Sequence, residues 1–286
     1  MEILPIAFDS FSTRSMATLI KTDLNILIDP SIAIAPERYS LPPHELELKE
    51  LEERINQIIL LGKKADLIII THYHWDHCPH PDAPHFNVLF NKKILLKDIN
   101  KKINNSQRNR GLYVLKNLKE KAEIEFSDNK SFEFEKTYIK ISEPVWHGEE
   151  NTPLGFVNMI YIEYKNNSLL FASDIQGILN EDAFKIIVDL NPNILIMSGP
   201  AIYHARWKKK YTETSYNYIL KIIENTKVSK IIIDHHLLRS LNYNKYLDKL
   251  REESSAFNVS ILTAAEYLGI ENRLLEARRK ELYGIK

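Results

Sequence analysis

The chain has 286 residues and a single cysteine, Cys78, so no intramolecular disulfide can brace it, which suits a reducing cytosol. It also lacks charge of one sign: 38 basic residues balance 38 acidic ones. That removes any global pull towards nucleic acid or an anionic membrane, and leaves such partners to a local patch. No apolar run approaches the ~20 residues that span a bilayer. The first ten residues, MEILPIAFDS, carry Glu2 and Asp9 and lack the basic start and long apolar core of a signal peptide. They read as a strand. No short repeat, low-complexity tract or linker interrupts the chain. These absences predict a soluble cytoplasmic protein with no membrane partner. The apolar fraction, 44%, is enough for one large α/β domain or two small ones.

What the chain does have is the stretch ADLIIITHYHWDH, from Ala65 to His77. Asp66 to Thr71 is a short apolar run, suited to a strand buried on both faces. It delivers His72, His74, Asp76 and His77. On an extended segment the first three project to one side. His77 breaks that alternation, so a turn is predicted there, and the four groups can close around one or two ions. Imidazoles with a carboxylate suit zinc better than calcium or magnesium. The plainer reading is a polar loop whose histidines pack without metal.

The rest of the chain repeats one theme. Ile3–Phe8, Ala17–Lys21 and Asn25–Ile28 read as strands, the last ending in Asp29. Pro42 and Pro43 can open a helix bearing Leu48, Leu51, Ile55 and Ile58. Residues 91–121 hold ten Lys or Arg against two Asp or Glu, either an anion contact or a solvated helical insertion. Strands follow within 123–141, and His147 comes directly after one of them. Val157–Tyr164 and Ser168–Phe171 form a predicted hairpin about Asn166 and Asn167, whose second strand leads to Asp174. Helices are predicted around Ala183–Val188 and Tyr216–Ile223, with a strand at Ile194–Met197 between them. Lys230–Ile233 is a strand that runs into Asp234, His235 and His236. A helix through Tyr243–Leu250, a strand at Val259–Leu262 and a capping box from Thr263 to Glu266 close the chain, with Gly269 interrupting the last helix. Acids and histidines thus stand at strand ends, where sites in α/β sheets form.

The motif T-H-Y-H-W-D-H at 71–77, with His147, Asp174, His235 or His236 and the early Asp29, resembles the metallo-β-lactamase superfamily. FSTRSMATLI, LIDPSIAIAPERYSLPP and IIIDHHLLR are similar to a mostly archaeal subgroup of it. The resemblance implies a four-layer αβ/βα sandwich, two mixed sheets flanked by helices. It implies a single domain over 1–286 with insertions at about 31–61 and 80–120. His72, His74 and His147 would hold one metal, Asp76, His77 and His235 a second, and Asp174 would bridge them, with Asp29 orienting the ligand loop. His235 is preferred to His236 because the superfamily's RNA-processing members often place an arginine four residues after the histidine, here Arg239. The β-CASP nuclease domain is absent. His74 stands where the di-iron relatives carry Glu, and Asp174 where the best-known β-lactamases carry Cys.

The implied activity is hydrolysis by a hydroxide shared between two divalent ions, zinc first, with manganese or iron as alternatives. Asp76 would add proton transfer, and His236 or His204 would protonate a leaving group. Arg14, Arg239 and the basic 91–121 stretch put phosphodiesters (nucleic acid or nucleotide) ahead of lactones and thioesters. An iron-dependent oxidoreductase and a non-catalytic binding protein are the rival classes. A small-molecule or nucleic-acid substrate, and a homo-oligomer, remain open.

Overall fold

A computed structural model describes residues 1–285; Lys286, the end of the expected domain, lies outside them. The first sheet runs β1 (Glu2–Phe8), β2 (Met16–Lys21), β3 (Asn25–Ile28), β4 (Leu67–Ile70), β5 (Lys93–Leu96) and β6 (Glu123–Phe126), in space as in sequence. β1 to β3 form an antiparallel meander, and β3 to β6 are parallel. The parallel part needs crossovers. Helix α1 (Glu45–Gly62) joins β3 to β4, and α2 (Asn105–Leu118) joins β5 to β6.

The second sheet is built from β7 (Ser131–Phe134), β8 (Thr137–Ile141), β11 (Ile160–Tyr164), β12 (Asn167–Phe171), β13 (Ile194–Ser198), β14 (Lys230–Asp234) and β15 (Ser260–Leu262). A two-stranded ribbon, β9 (Val145–Trp146) and β10 (Phe156–Val157), stands between β8 and β11 in sequence. Helices α3 (Glu181–Leu190), α4 (Lys209–Asn225) and α5 (Tyr243–Glu253) connect the parallel strands β12 to β15. Short helices α6 (Ala264–Tyr267) and α7 (Arg279–Leu282) follow.

Alternation decides the layers. Leu67 and Ile69 of β4 join Ile160, Leu169 and Ile196 in the core between the sheets. Ile68 and Ile70 point the other way, with Ile58 of α1 and Val114 of α2. Across the molecule, Leu195 and Ile231 meet Ile187, Ile219 and Leu247 of the outer helices. Each sheet is therefore buried on both faces, in the order helix, sheet, sheet, helix. This is the expected four-layer sandwich. Segments 31–61 and 80–120 contribute α1, β5 and α2 to it. No helix among the described residues is long and apolar enough to cross a membrane.

Three local expectations change. α1 begins at Glu45, not at the prolines, because His44 and Glu47 form its capping box. The β11–β12 turn is Lys165 and Asn166, since Tyr164 pairs with Asn167; Lys165 takes the positive φ (56°) such a two-residue turn requires. The predicted strand over 157–164 is broken at Asn158, whose N–H donates to Thr71 O at 3.1 Å.

His85, in the short 3-10 helix Pro84–Leu89 before β5, is 3% exposed, and among the described residues only Ser31 Oγ lies within hydrogen-bonding reach of its ring, at 3.4 Å. Burial pushes its imidazole down to about 4. Between the ordinary value of about 6.5 and about 4, the unfolded chain therefore binds a proton that the folded chain refuses. Its contribution is whole above pH ~6.5 and is lost as pH falls towards ~4, about 3 kcal/mol in all. Urea midpoints at neutral and acid pH are expected to differ less in His85→Gln than in the wild type.

Candidate metal centre

The parallel strands β3, β4, β12 and β14 end at one edge of the sandwich, and each delivers a polar residue there. Asp29 follows β3, His72 to His77 follow β4, Asp174 follows β12, and His235 and His236 follow β14. His147 arrives from the end of β9. Residues separated by more than 160 positions thus share one pocket. The chain turns earlier than the alternation implied: His77 N and Cys78 N both donate to His74 O, at 2.9 and 2.8 Å. Asp76 is therefore carried in by the turn, while Tyr73 points away into the core under α2 and donates to Lys97 O.

Four overlapping groups of donors result among the described residues, Asp29 with His72 and His77 and Asp174 with His235 and His236 being two of them, and the other two match the expected ligand sets. One atom each from His72, His74, His147 and Asp174 lie within 4.8 Å of one another, and the same holds for Asp76, His77 and His235. Asp174 lies between them: its Oδ2 is 2.9 Å from His147 Nε2 and 3.2 Å from His77 Nε2, and its Oδ1 is 3.5 Å from His235 Nε2. His72 Nε2, His77 Nε2, His147 Nε2 and Asp174 Oδ1 are buried with no aligned hydrogen-bond partner among the described residues. A buried polar atom without a partner costs about 1–3 kcal/mol. Four that face one another are what a bound cation would satisfy, so the donor set fits divalent metal.

The tautomers are fixed from behind. Asp29 Oδ2 accepts from His77 Nδ1 at 2.9 Å and from Thr71 Oγ1 at 2.7 Å. With its proton committed, Thr71 Oγ1 accepts in turn from His72 Nδ1, at 3.0 Å. One carboxylate thus turns the Nε2 lone pairs of both His72 and His77 inward. Asp29 and Ser173 hold positive φ angles of 47° and 52° to stand there, and His236 one of 61°. Such backbone strain collects at functional sites.

Asp9, noted in the sequence only for its charge, does the same for His235. Its carboxylate meets His235 Nδ1 and accepts from Arg239 Nε at 2.6 Å. Burial opposes its charge, but Arg239 and His235 hold its carboxyl well below the usual range. The signal was legible, for Asp9 ends a strand as Asp29 does. Arg239 is 4% exposed and tied to Asp9, and Arg14 is paired with Glu276 at 2.7 Å through both carboxylate oxygens. Neither arginine is free to take a substrate phosphate as expected. The basic 91–121 stretch is dispersed too: Lys97 is buried against Asp128, and Lys93 and Lys102 pair with glutamates.

His236 lies beside His235 with its Nε2 3.3 Å from Asp174 Oδ2, but its Nδ1 has no partner. Burial pushes it down to about 3. Burial likewise lowers His74, to about 3. Asp76 is 20% exposed at the mouth; burial works against its charge, but His235 and His77 keep it ionised. His74, Asp76, His147, Asp174 and His236 all open on a cleft of about 440 Å³, which His204 also lines.

Comparison with known proteins agrees with this architecture. The profile of the metallo-β-lactamase superfamily matches residues 13–78. A UPF0282 protein of Korarchaeum cryptofilum is 37% identical over 286 residues, covering 99% of this chain and 94% of the relative. One of Saccharolobus solfataricus is 39% identical over 288 residues, covering 99% and 93%. Among solved structures, CmlA, a diiron β-hydroxylase from Streptomyces venezuelae, matches with a TM-score of 0.54 at 11% identity, over 90% of this chain and 51% of CmlA. Tm1679, described as a metal-dependent hydrolase of the β-lactamase superfamily, matches with a TM-score of 0.51 at 12% identity, over 92% and 96%. Likenesses at that identity speak for the fold alone. Near-full-length identity to the archaeal relatives makes the chain a member of the UPF0282 family, and the chain has the metallo-β-lactamase fold.

Proposed function

We propose that the protein is a metal-dependent hydrolase of phosphodiesters. His72, His74 and His147 would hold one divalent ion, Asp76, His77 and His235 a second, with Asp174 shared. The observation that carries the reading is the convergence of buried, unpaired imidazole nitrogens on Asp174 at the floor of an open cleft. Ions held there supply a Lewis acid for the ester oxygen and a water acidified towards neutral pH, zinc being the metal this donor set suits best.

The chain's own groups do the rest. Asp29 and Asp9 keep His72, His77 and His235 in the tautomers that present Nε2. His235, so anchored, is the better ligand, while His236 has no such anchor. Asp76, ionised and partly exposed, can take a proton from the attacking water. His236 is neutral at pH 7 and offers a hydrogen bond rather than a stored proton. His204, exposed at the cleft mouth, is the group left to protonate a leaving oxygen. A phosphodiester is preferred because Arg206 and Arg110, which make no ion pair among the described residues, border the site.

Purified protein should contain divalent metal and hydrolyse an activated phosphodiester, with Asp76→Ala slower by about 10²-fold or more. Chelation should lower the thermal midpoint, by the equivalent of about 3 kcal/mol at free metal a hundredfold above Kd. A metal-loaded protein without turnover, or a midpoint indifferent to chelator, would count against the proposal.

A further inference from the structure

His74 and Asp76 border two clefts, not one. Besides the cleft of about 440 Å³ beside Trp207, a second of about 570 Å³ opens past Trp75 and Arg110. His74, Asp76, Pro153 and Leu154 line both. The clefts are therefore two limbs of one groove, with the candidate metal centre at its middle. The ridge between them is anchored: Asn104 Nδ2 donates to Pro153 O at 2.6 Å, and Gln107 Nε2 to Leu154 O at 2.8 Å.

Both limbs combine flat rings with uncompensated cations. The first is lined by Arg206, Trp207 and Tyr211, from the run Arg206-Trp207-Lys208-Lys209-Lys210-Tyr211. Among the described residues only Lys209 of its cations is ion-paired, with Glu213 at 3.6 Å. Lys208 and Lys210 lie over the Tyr211 ring, at 5.7 and 5.2 Å. At the second, the Arg110 guanidinium lies over the Trp75 ring at 5.3 Å. Trp75 and Trp207 are each half-buried. The acidic groups lining the limbs are Asp76 and Asp174 of the candidate metal centre and Glu149 in the first limb, while Glu276, near the second, is held by Arg14. Alternating cations and rings along a groove match a ligand that alternates phosphates with unpaired bases. A duplex hides those base faces, and a lone phosphomonoester would occupy one limb only.

We propose that the groove binds single-stranded nucleic acid along both limbs. An internal phosphodiester lies at His74 and Asp76, with flanking bases stacked on Trp75 and on Trp207. This rests on the phosphodiesterase reading above. Hydrolysis there adds water across one P–O bond and leaves a phosphomonoester end and a hydroxyl end, so products are fragments rather than single nucleotides.

Binding is tested without turnover, by fluorescence anisotropy of labelled, hydrolysis-resistant phosphorothioate single-stranded oligonucleotides on the metal-loaded full chain. Affinity is expected to fall steeply as salt rises, and Lys208→Ala with Lys210→Ala to lower the salt slope by about 2. Trp207→Ala and Trp75→Ala should each weaken binding about tenfold. Arg110→Gln probes the second limb should Trp75→Ala fail to fold. Binding indifferent to the changes in either limb, or displaced equally well by polyglutamate, overturns the groove. Turnover of a small activated phosphodiester by metal-loaded wild type is scored separately. Turnover without oligonucleotide binding sinks the groove alone. Limb-dependent binding without turnover supports the groove and sinks the phosphodiesterase reading.

Discussion

Asp29→Ala is expected to weaken metal binding about 10- to 100-fold, although Asp29 belongs to neither of the two proposed ligand sets. Its carboxylate accepts from His77 Nδ1 and from Thr71 Oγ1, and through Thr71 it also orients His72. Without it both rings can adopt the other tautomer or rotate, and each group of donors is disturbed at once. Titration against a chromophoric chelator measures the loss. Asp66→Ala is the control, because Asp66 is exposed and meets only the backbone and side chain of Asn25. Equal affinities in Asp29→Ala and wild type would remove Asp29 from the proposed centre.

The largest effect on stability is expected at Arg279. It is fully buried and forked onto Glu47 of α1, Nε to Oε2 at 2.8 Å and Nη2 to Oε1 at 2.7 Å. Two further protons go to Leu41 O and Ala35 O, each at 3.0 Å. The pair fastens the C-terminal segment over the chain between β3 and α1, where Arg273 with Glu50 and Arg14 with Glu276 add further ties. Arg279→Ala leaves Glu47 buried with only the His44 N–H of the capping box for a partner, and should cost about 3–5 kcal/mol. Arg279→Met with Glu47→Leu removes both charges and should recover much of that. Chemical denaturation of the three proteins checks it. A single variant no less stable than the double would mean that Glu47 finds water, and that the segment is not clamped.

Arg14 and Arg239 show where reading the chain in order went astray. Both stand at strand ends beside the site, and both looked available for a substrate. Their charges are instead met by Glu276 and Asp9, more than 220 positions away. The run at 206–211 had the opposite fate. It lies between β13 and α4, with Lys209, Lys210 and Tyr211 opening that helix. Folding set its Arg206, Trp207 and Tyr211 on the lining of the cleft, with most of the run's cations unpaired among the described residues.

The sequence by itself determined the elements and the presence of a dense donor cluster. Those depend on near neighbours: apolar alternation makes a strand, and His72, His74, Asp76 and His77 come within one turn of chain. Only the tertiary structure decided which distant groups complete the site and which charges are spent. Asp9 meets His235, Glu47 meets Arg279, and the ridge at Pro153 and Leu154 divides one groove into two limbs. The physical reason is that a charge is neutralised by whatever the topology sets against it, and no local pattern in the chain records that partner.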